Sequence, residues 1–131
     1  MDQPSPPTEQ RGTARVLLVE GNAEVRALIA EQMSSLGYHV AQAASASEAL
    51  GVLEECEGRL DLLLSGTLRR AALGGVELAS IARERWPKLG VLLVSAMGTD
   101  GAFPQLMKPF RKAELARTVR RVLAGDEEAT A

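Results

Sequence analysis

The sequence predicts an α/β fold in which five short strands alternate with helices to build a doubly wound parallel sheet. Three observations carry this reading. First, three nearly continuous apolar runs of strand length, Arg15 to Glu20 (RVLLVE), Leu60 to Ser65 (LDLLLS) and Gly90 to Ser95 (GVLLVS), read as strands covered on both faces. Second, the apolar residues between these runs recur at helical spacing. Third, strand and helix signals alternate along the chain, and right-handed crossovers then place helices on both faces of one sheet.

In order, residues 1–14 carry Pro4, Pro6 and Pro7 among polar residues and are expected to form a disordered lead-in. The first strand is Arg15 to Glu20. Asn22 is a candidate N-cap, apolar residues follow at Val25, Leu28, Ile29, Met33 and Leu36, and Gly37 supplies the stop. Tyr38 to Ala43 has His39 and Gln42 polar, as an edge strand would. Ser45 and Glu48 match a capping box opening a helix through Ala49, Leu50, Leu53 and Cys56 that ends near Gly58. Leu60 to Ser65 is the central strand, and 66–74 form a loop.

Gly75 to Trp86 reads as a helix burying Leu78, Ala79 and Ala82, and Pro87 ends it. Gly90 to Ser95 is another buried strand, and Gln105 to Met107 a short last one. Leu115, Val119, Val122 and Leu123 give the final helix an apolar face, with Arg117, Arg120 and Arg121 largely opposite. The folded domain is expected over 15–124, with an acidic, frayed tail over 125–131. Met1 and the loose tails fit a stand-alone protein.

A chain of 131 residues suffices for one core and not for two. Its net charge of -2 gives no strong field for nucleic acid or an anionic membrane, and 3% aromatics leave few stacking platforms. Cys56 is the single cysteine, which rules out an internal disulfide and fits a reducing, cytoplasmic compartment. No apolar run approaches the roughly 18 residues of a membrane span.

In folds of this class, ligands sit beyond the carboxyl ends of the strands. Those ends carry Glu20-Gly21, Gly66, Ser95 and Lys108. On these positions, and on the stretches VEGNAEVR, GGVELA, VLLVS and KPF, the chain resembles the receiver domain of response regulators, and most closely the receivers of hybrid histidine kinases. The resemblance covers roughly Arg15 to Leu123 and implies a flavodoxin-like sheet of order 2-1-3-4-5. It also implies that an acidic pair after strand 1 and an aspartate after strand 3 hold magnesium, that this aspartate takes a phosphoryl group, and that a hydroxyl and a lysine hold that group. Carried over, the acidic pair is Glu20 and Gly21, the phosphoacceptor is Gly66, the hydroxyl is Ser95 and the ammonium is Lys108.

Two of three acidic positions are therefore glycine. Hydrogen supplies no nucleophile, and one carboxylate is a poor magnesium anchor. Asp61 lies five positions before Gly66, about 16 Å away along a strand, at the wrong end. Ser65 points to the opposite face and lacks a base. Asp100 is the only candidate stand-in. The expectation is a pseudo-receiver: no enzyme, no catalytic residue, no cofactor and no metal, but a phosphorylation-independent interaction module in two-component signalling. Its partners would be a histidine kinase, a phosphotransfer protein or a downstream regulator, with a homodimer left open. Two alternatives stay open as well, a receiver phosphorylated at a displaced residue such as Asp100 and a small-anion sensor built on Ser95, Lys108 and the Gly66 gap.

Only twelve residues separate Ser95 from Lys108, too few for a helix of about 11 residues together with connections and a strand. The fourth helix of such a fold is therefore expected to be shortened or missing, and Gln105 stands at the family's aromatic switch position. Arg69, Arg70, Gln105, Arg117 and Arg121 are candidate partner contacts, weighed against plain solvated surface. Lys108 is expected to pair with Glu20 and Ser95 to cap a loop. His39 should lie on the edge-strand surface, Cys56 should be a small buried residue, and Trp86 should pack the helix end.

Overall fold

The computed structural model describes residues 14–68, 71–98 and 101–125. Nine elements follow one another: β1 (Arg15–Val19), α1 (Ala23–Ser35), β2 (His39–Ala43), α2 (Ala46–Glu55), β3 (Leu62–Gly66), α3 (Gly75–Arg85), β4 (Gly90–Ser95), β5 (Gln105–Met107) and α4 (Lys112–Leu123). The strands form one sheet in the order β2-β1-β3-β4-β5, every pairing parallel, as the sequence predicts.

Strand alternation splits the core into two layers. Val16, Leu18, Leu62, Leu64, Leu92, Val94 and Leu106 face Ile29, Ala30 and Met33 of α1 and Leu115, Val119 and Val122 of α4. Leu17, Val19, Leu63, Val91 and Leu93 face Ala49 and Leu53 of α2 and Leu78, Ala79 and Ala82 of α3. All five residues of β3 are buried, which explains why its sequence is apolar without alternation. β2, at the edge, keeps only Ala43 fully buried.

The local signals act as their chemistry requires. The Asn22 side chain accepts from the N–H groups of Glu24 and Val25 at 2.9 and 3.0 Å, and Gly37 takes φ 100° beyond the end of α1. Ser45 Oγ accepts from Glu48 N–H, but the Glu48 carboxylate returns to the Ala44 N–H at 2.7 Å, one residue before the cap.

Several boundaries differ from the sequence reading. Ala14, assigned to the lead-in, is buried, and its carbonyl accepts from His39 N–H at 3.0 Å, so it belongs to the folded unit. The rest of the lead-in and residues 126–131 lie outside the described residues. β3 begins at Leu62, because Asp61 is taken up in tying strand beginnings together. Its carboxylate accepts from Arg15 N–H at 2.8 Å, and its carbonyl from Gly90 N–H at 3.1 Å. α2 ends at Glu55, where Glu57 and Gly58 turn to positive φ. Cys56 closes that helix half-buried, not buried in the core.

Among the described residues no helix lies between β4 and β5. Phe103 stands in for it, 8% exposed and packed in the layer of α2 and α3, with the Arg83 guanidinium 5.4 Å from its ring centre. This segment also settles Gln105. Expected on a partner-facing surface, Gln105 is buried. It is paired in register with Leu93 on the Phe103 side of the sheet, and Gly98 of the returning segment lies over its side-chain oxygen.

Candidate functional site

The carboxyl ends of the parallel strands bring Glu20, Gly66, Ser95 and Lys108 to one edge of the sheet. By alternation Glu20, Gly66 and Lys108 continue the positions of Leu18, Leu64 and Leu106, on the side of α1 and α4. Glu20 follows β1, Gly66 is the last residue of β3, Ser95 the last of β4, and Lys108 follows β5.

Glu20 dominates this edge. Its backbone is fixed by a bond from its N–H to the Ala43 carbonyl and by the Arg26 guanidinium donating to its own carbonyl at 2.8 Å. One carboxylate oxygen accepts from Asn22 N–H at 3.0 Å. The other stands 3.8 Å from Lys108 Nζ, an ion pair with side chains 13% and 32% exposed. A Cβ built on Gly66 would lie 2.6 Å from that same oxygen. The Glu20 carboxylate therefore fills the space over Gly66, and any side chain at position 66 must push it aside.

Gly21 differs. It is exposed, and a Cβ there would meet only the Ala44 carbonyl oxygen, at 3.7 Å. Space does not forbid a side chain at 21; the sequence simply lacks one. Ser95 is buried, and its Oγ accepts from the N–H groups of Met97 and Gly98 at 3.1 and 2.6 Å, so the hydroxyl oxygen is committed to capping a turn. Lys108 N–H donates to the Ser95 carbonyl at 2.8 Å, tying the last two strand ends together.

The magnesium ion that the resemblance implies does not fit this donor set. Magnesium calls for several hard oxygens in near-octahedral array. Here one carboxylate is available, engaged by an ammonium and a backbone N–H, and the two neighbouring positions have no side chain. Among the described residues no group of three or more acidic, histidine or cysteine side chains is arranged to hold a metal.

Other sequence-predicted residues lie elsewhere. Ser65 is buried and donates its hydroxyl to the Gly66 carbonyl at 2.8 Å. Asp61 sits at the opposite sheet end, His39 is exposed on the edge strand, and Arg117 and Arg121 are exposed on α4. Arg69, Arg70 and Asp100 lie outside the described residues.

Two features escape the sequence reading. An open groove of about 620 Å³ runs along the start of α4, lined by Pro109, Phe110, Arg111, Ala113, Glu114 and Arg117. Gly75, at the start of α3, packs so closely that a Cβ there would overlap the Gly66 carbonyl oxygen. Nothing in the local spacing signals the groove, and the Gly75 contact is made with another element nine residues away.

A doubly wound 2-1-3-4-5 sheet with Glu, Ser and Lys at its carboxyl edge defines a receiver-type signalling domain. Comparison with known proteins gives the family. No family model matches the sequence. The chain is 34% identical over 125 residues to the sensor kinase CckA of Brucella abortus, across 88% of this chain and 13% of that kinase. Its fold matches the crystal structure of a receiver domain from the hybrid histidine kinase CckA with a TM-score of 0.73 at 33% identity, covering 83% of this chain and 98% of that one. It also matches the chemotaxis protein CheY4 of Vibrio cholerae with a TM-score of 0.74 at 25% identity, covering 84% and 98%. The chain belongs to the response-regulator receiver domains, of the kind found in hybrid kinases.

Proposed function

We propose that this receiver domain acts without aspartyl phosphorylation, as a cytoplasmic protein-interaction module of a two-component pathway and not as an enzyme. The observation that carries the reading is the filled strand-end site: Gly66 has no nucleophile, and the Glu20 carboxylate, paired with Lys108, occupies the space above it. That pair holds in place a charge arrangement that a phosphorylation cycle would have to make and break. A histidine kinase, a phosphotransfer protein or a downstream regulator fits as partner, and the likeness to a sensor kinase favours this class. Binding is then set by the amount of the module or by competition for its surface.

The test is an amide NMR titration with magnesium, then with magnesium and beryllofluoride, accompanied by intact mass after incubation with a small phosphodonor. The expected result is no saturable shift at Glu20, Gly66, Ser95 or Lys108 and no mass gain. Saturable shifts clustered there, or a gain of one phosphoryl group at Asp100 or elsewhere, would overturn the reading.

A further inference from the structure

We propose that two copies of this chain associate through the outer faces of α1 and α4, the acidic stripe of each copy lying on the basic stripe of the other. This rests on two helix surfaces and holds whether or not the strand-end site is silent.

Both helices pack on the same side of the sheet, burying Ile29, Ala30 and Met33 from α1 and Leu115, Val119 and Val122 from α4. Their outer faces differ in charge. On α1, Glu24, Leu28 and Glu31 recur at steps of four and three residues, which puts them on one stripe, and all three are exposed. Leu28 is 56% exposed, one of two large apolar side chains so exposed among the described residues. Neither carboxylate is engaged in an ion pair among the described residues. On α4, Arg117 and Arg120 with Arg121 form a basic stripe, also exposed. One molecule thus carries two opposite stripes on one face.

A two-fold axis parallel to the helices would lay α1 of one copy on α4 of the other, and the reverse, so each contact is made twice. The levels agree. Both helices start after connections of three or four residues from strand ends at the same carboxyl edge of the sheet, so residues equally far from their starts stand at similar depth. Leu28 and Arg117 are each the sixth residue of their helix, and Glu31 and Arg120 each the ninth. Leu28 would then lie beside the groove at the start of α4, where Pro109, Phe110 and Ala113 offer apolar contact among Arg111, Glu114 and Arg117, while Glu31 meets Arg120. Two helices about 20 Å long and about 10 Å across offer a patch smaller than the roughly 800 Å² per partner of a standard interface. The association is therefore weak and reversible.

Sedimentation equilibrium of the full chain, from about 10 µM to about 1 mM at low salt and again at about 0.5 M salt, tests it. The expected result is a mass rising toward the dimer at low salt and falling back at high salt. Glu31→Arg and Arg120→Glu, each with an unchanged amide NMR fingerprint, should each weaken self-association about tenfold, since every substitution counts twice in a symmetric contact. Mixing the two variants should restore association, because each variant helix then faces an opposite charge. A monomer at every concentration would overturn the proposal, as would self-association indifferent to both substitutions or a mixture that fails to recover.

Discussion

At the scale of single residues, Gly66 and Gly21 are both glycines on one sheet edge, yet they are not equivalent. Position 66 is filled from outside by the Glu20 carboxylate, and position 21 is open. Glu20 ends in a flexible carboxylate, so it can yield to a new side chain at 66. Gly66→Asp alone should bring two carboxylates to one ammonium and destabilise the fold by about 1 kcal/mol, through like-charge crowding in a partly buried place. Adding Gly21→Asp completes three carboxylates and creates a magnesium demand where none exists. Magnesium at about ten times its dissociation constant should then stabilise the double variant by about 1.4 kcal/mol and leave the natural chain unchanged. Thermal melts with and without magnesium check this. A natural chain that magnesium stabilises as much would show that Glu20 and a residue outside the described ones already form a site.

At the scale of elements, two glycines separate close approach from mere tolerance. Gly75 begins α3 where a built Cβ would overlap the Gly66 carbonyl oxygen, and its N–H donates to the Thr67 carbonyl at 2.8 Å. A methyl there meets backbone, which cannot swing away, so Gly75→Ala should cost about 1–3 kcal/mol and shift the end of β3. Gly51 sits inside α2 with nothing within 4 Å of a built Cβ. Gly51→Ala should instead stabilise by about 0.5–1 kcal/mol, since alanine loses less backbone freedom on entering a helix. Urea melts of the two variants decide the matter, and equal signs would refute this account of the contact. The helix itself was readable in GGVELA; the reason for its glycine was not, because that reason lies nine residues away on another element. The same holds for Gln105. A three-residue strand has too little alternation to tell a covered face from an open one, and the cover comes from a segment that replaces a helix. The Glu20–Lys108 pairing was readable for the opposite reason, since parallel strands bring all their ends to one edge whatever lies between.

At the scale of the whole molecule, what the sequence made legible was the part governed by burial on two faces. β1, β3 and β4 advertise themselves as unbroken apolar runs, and their order follows from alternation with helices. The edges were less legible because solvent relaxes the constraint there, which is why the strand limits moved by one or two residues. That same gradient should govern how the molecule opens. β3 is buried throughout and bonded to a strand on each side, while β5 has three residues, one neighbour and, among the described residues, no helix between it and β4. Amide hydrogen exchange should therefore find β3 exchanging only by global unfolding. β5 should exchange by a local opening on the order of 100-fold more readily. Because Lys108 follows β5 and pairs with Glu20 after β1, that opening also carries the ion pair apart. Glu20→Gln, which removes the charge holding Lys108 in place, should raise exchange in β5 several-fold and leave β3 unchanged relative to the variant's own global stability. Equal acceleration in both strands would mean that the pair stabilises the fold at large. It would then not act as a latch between the last strand and the first.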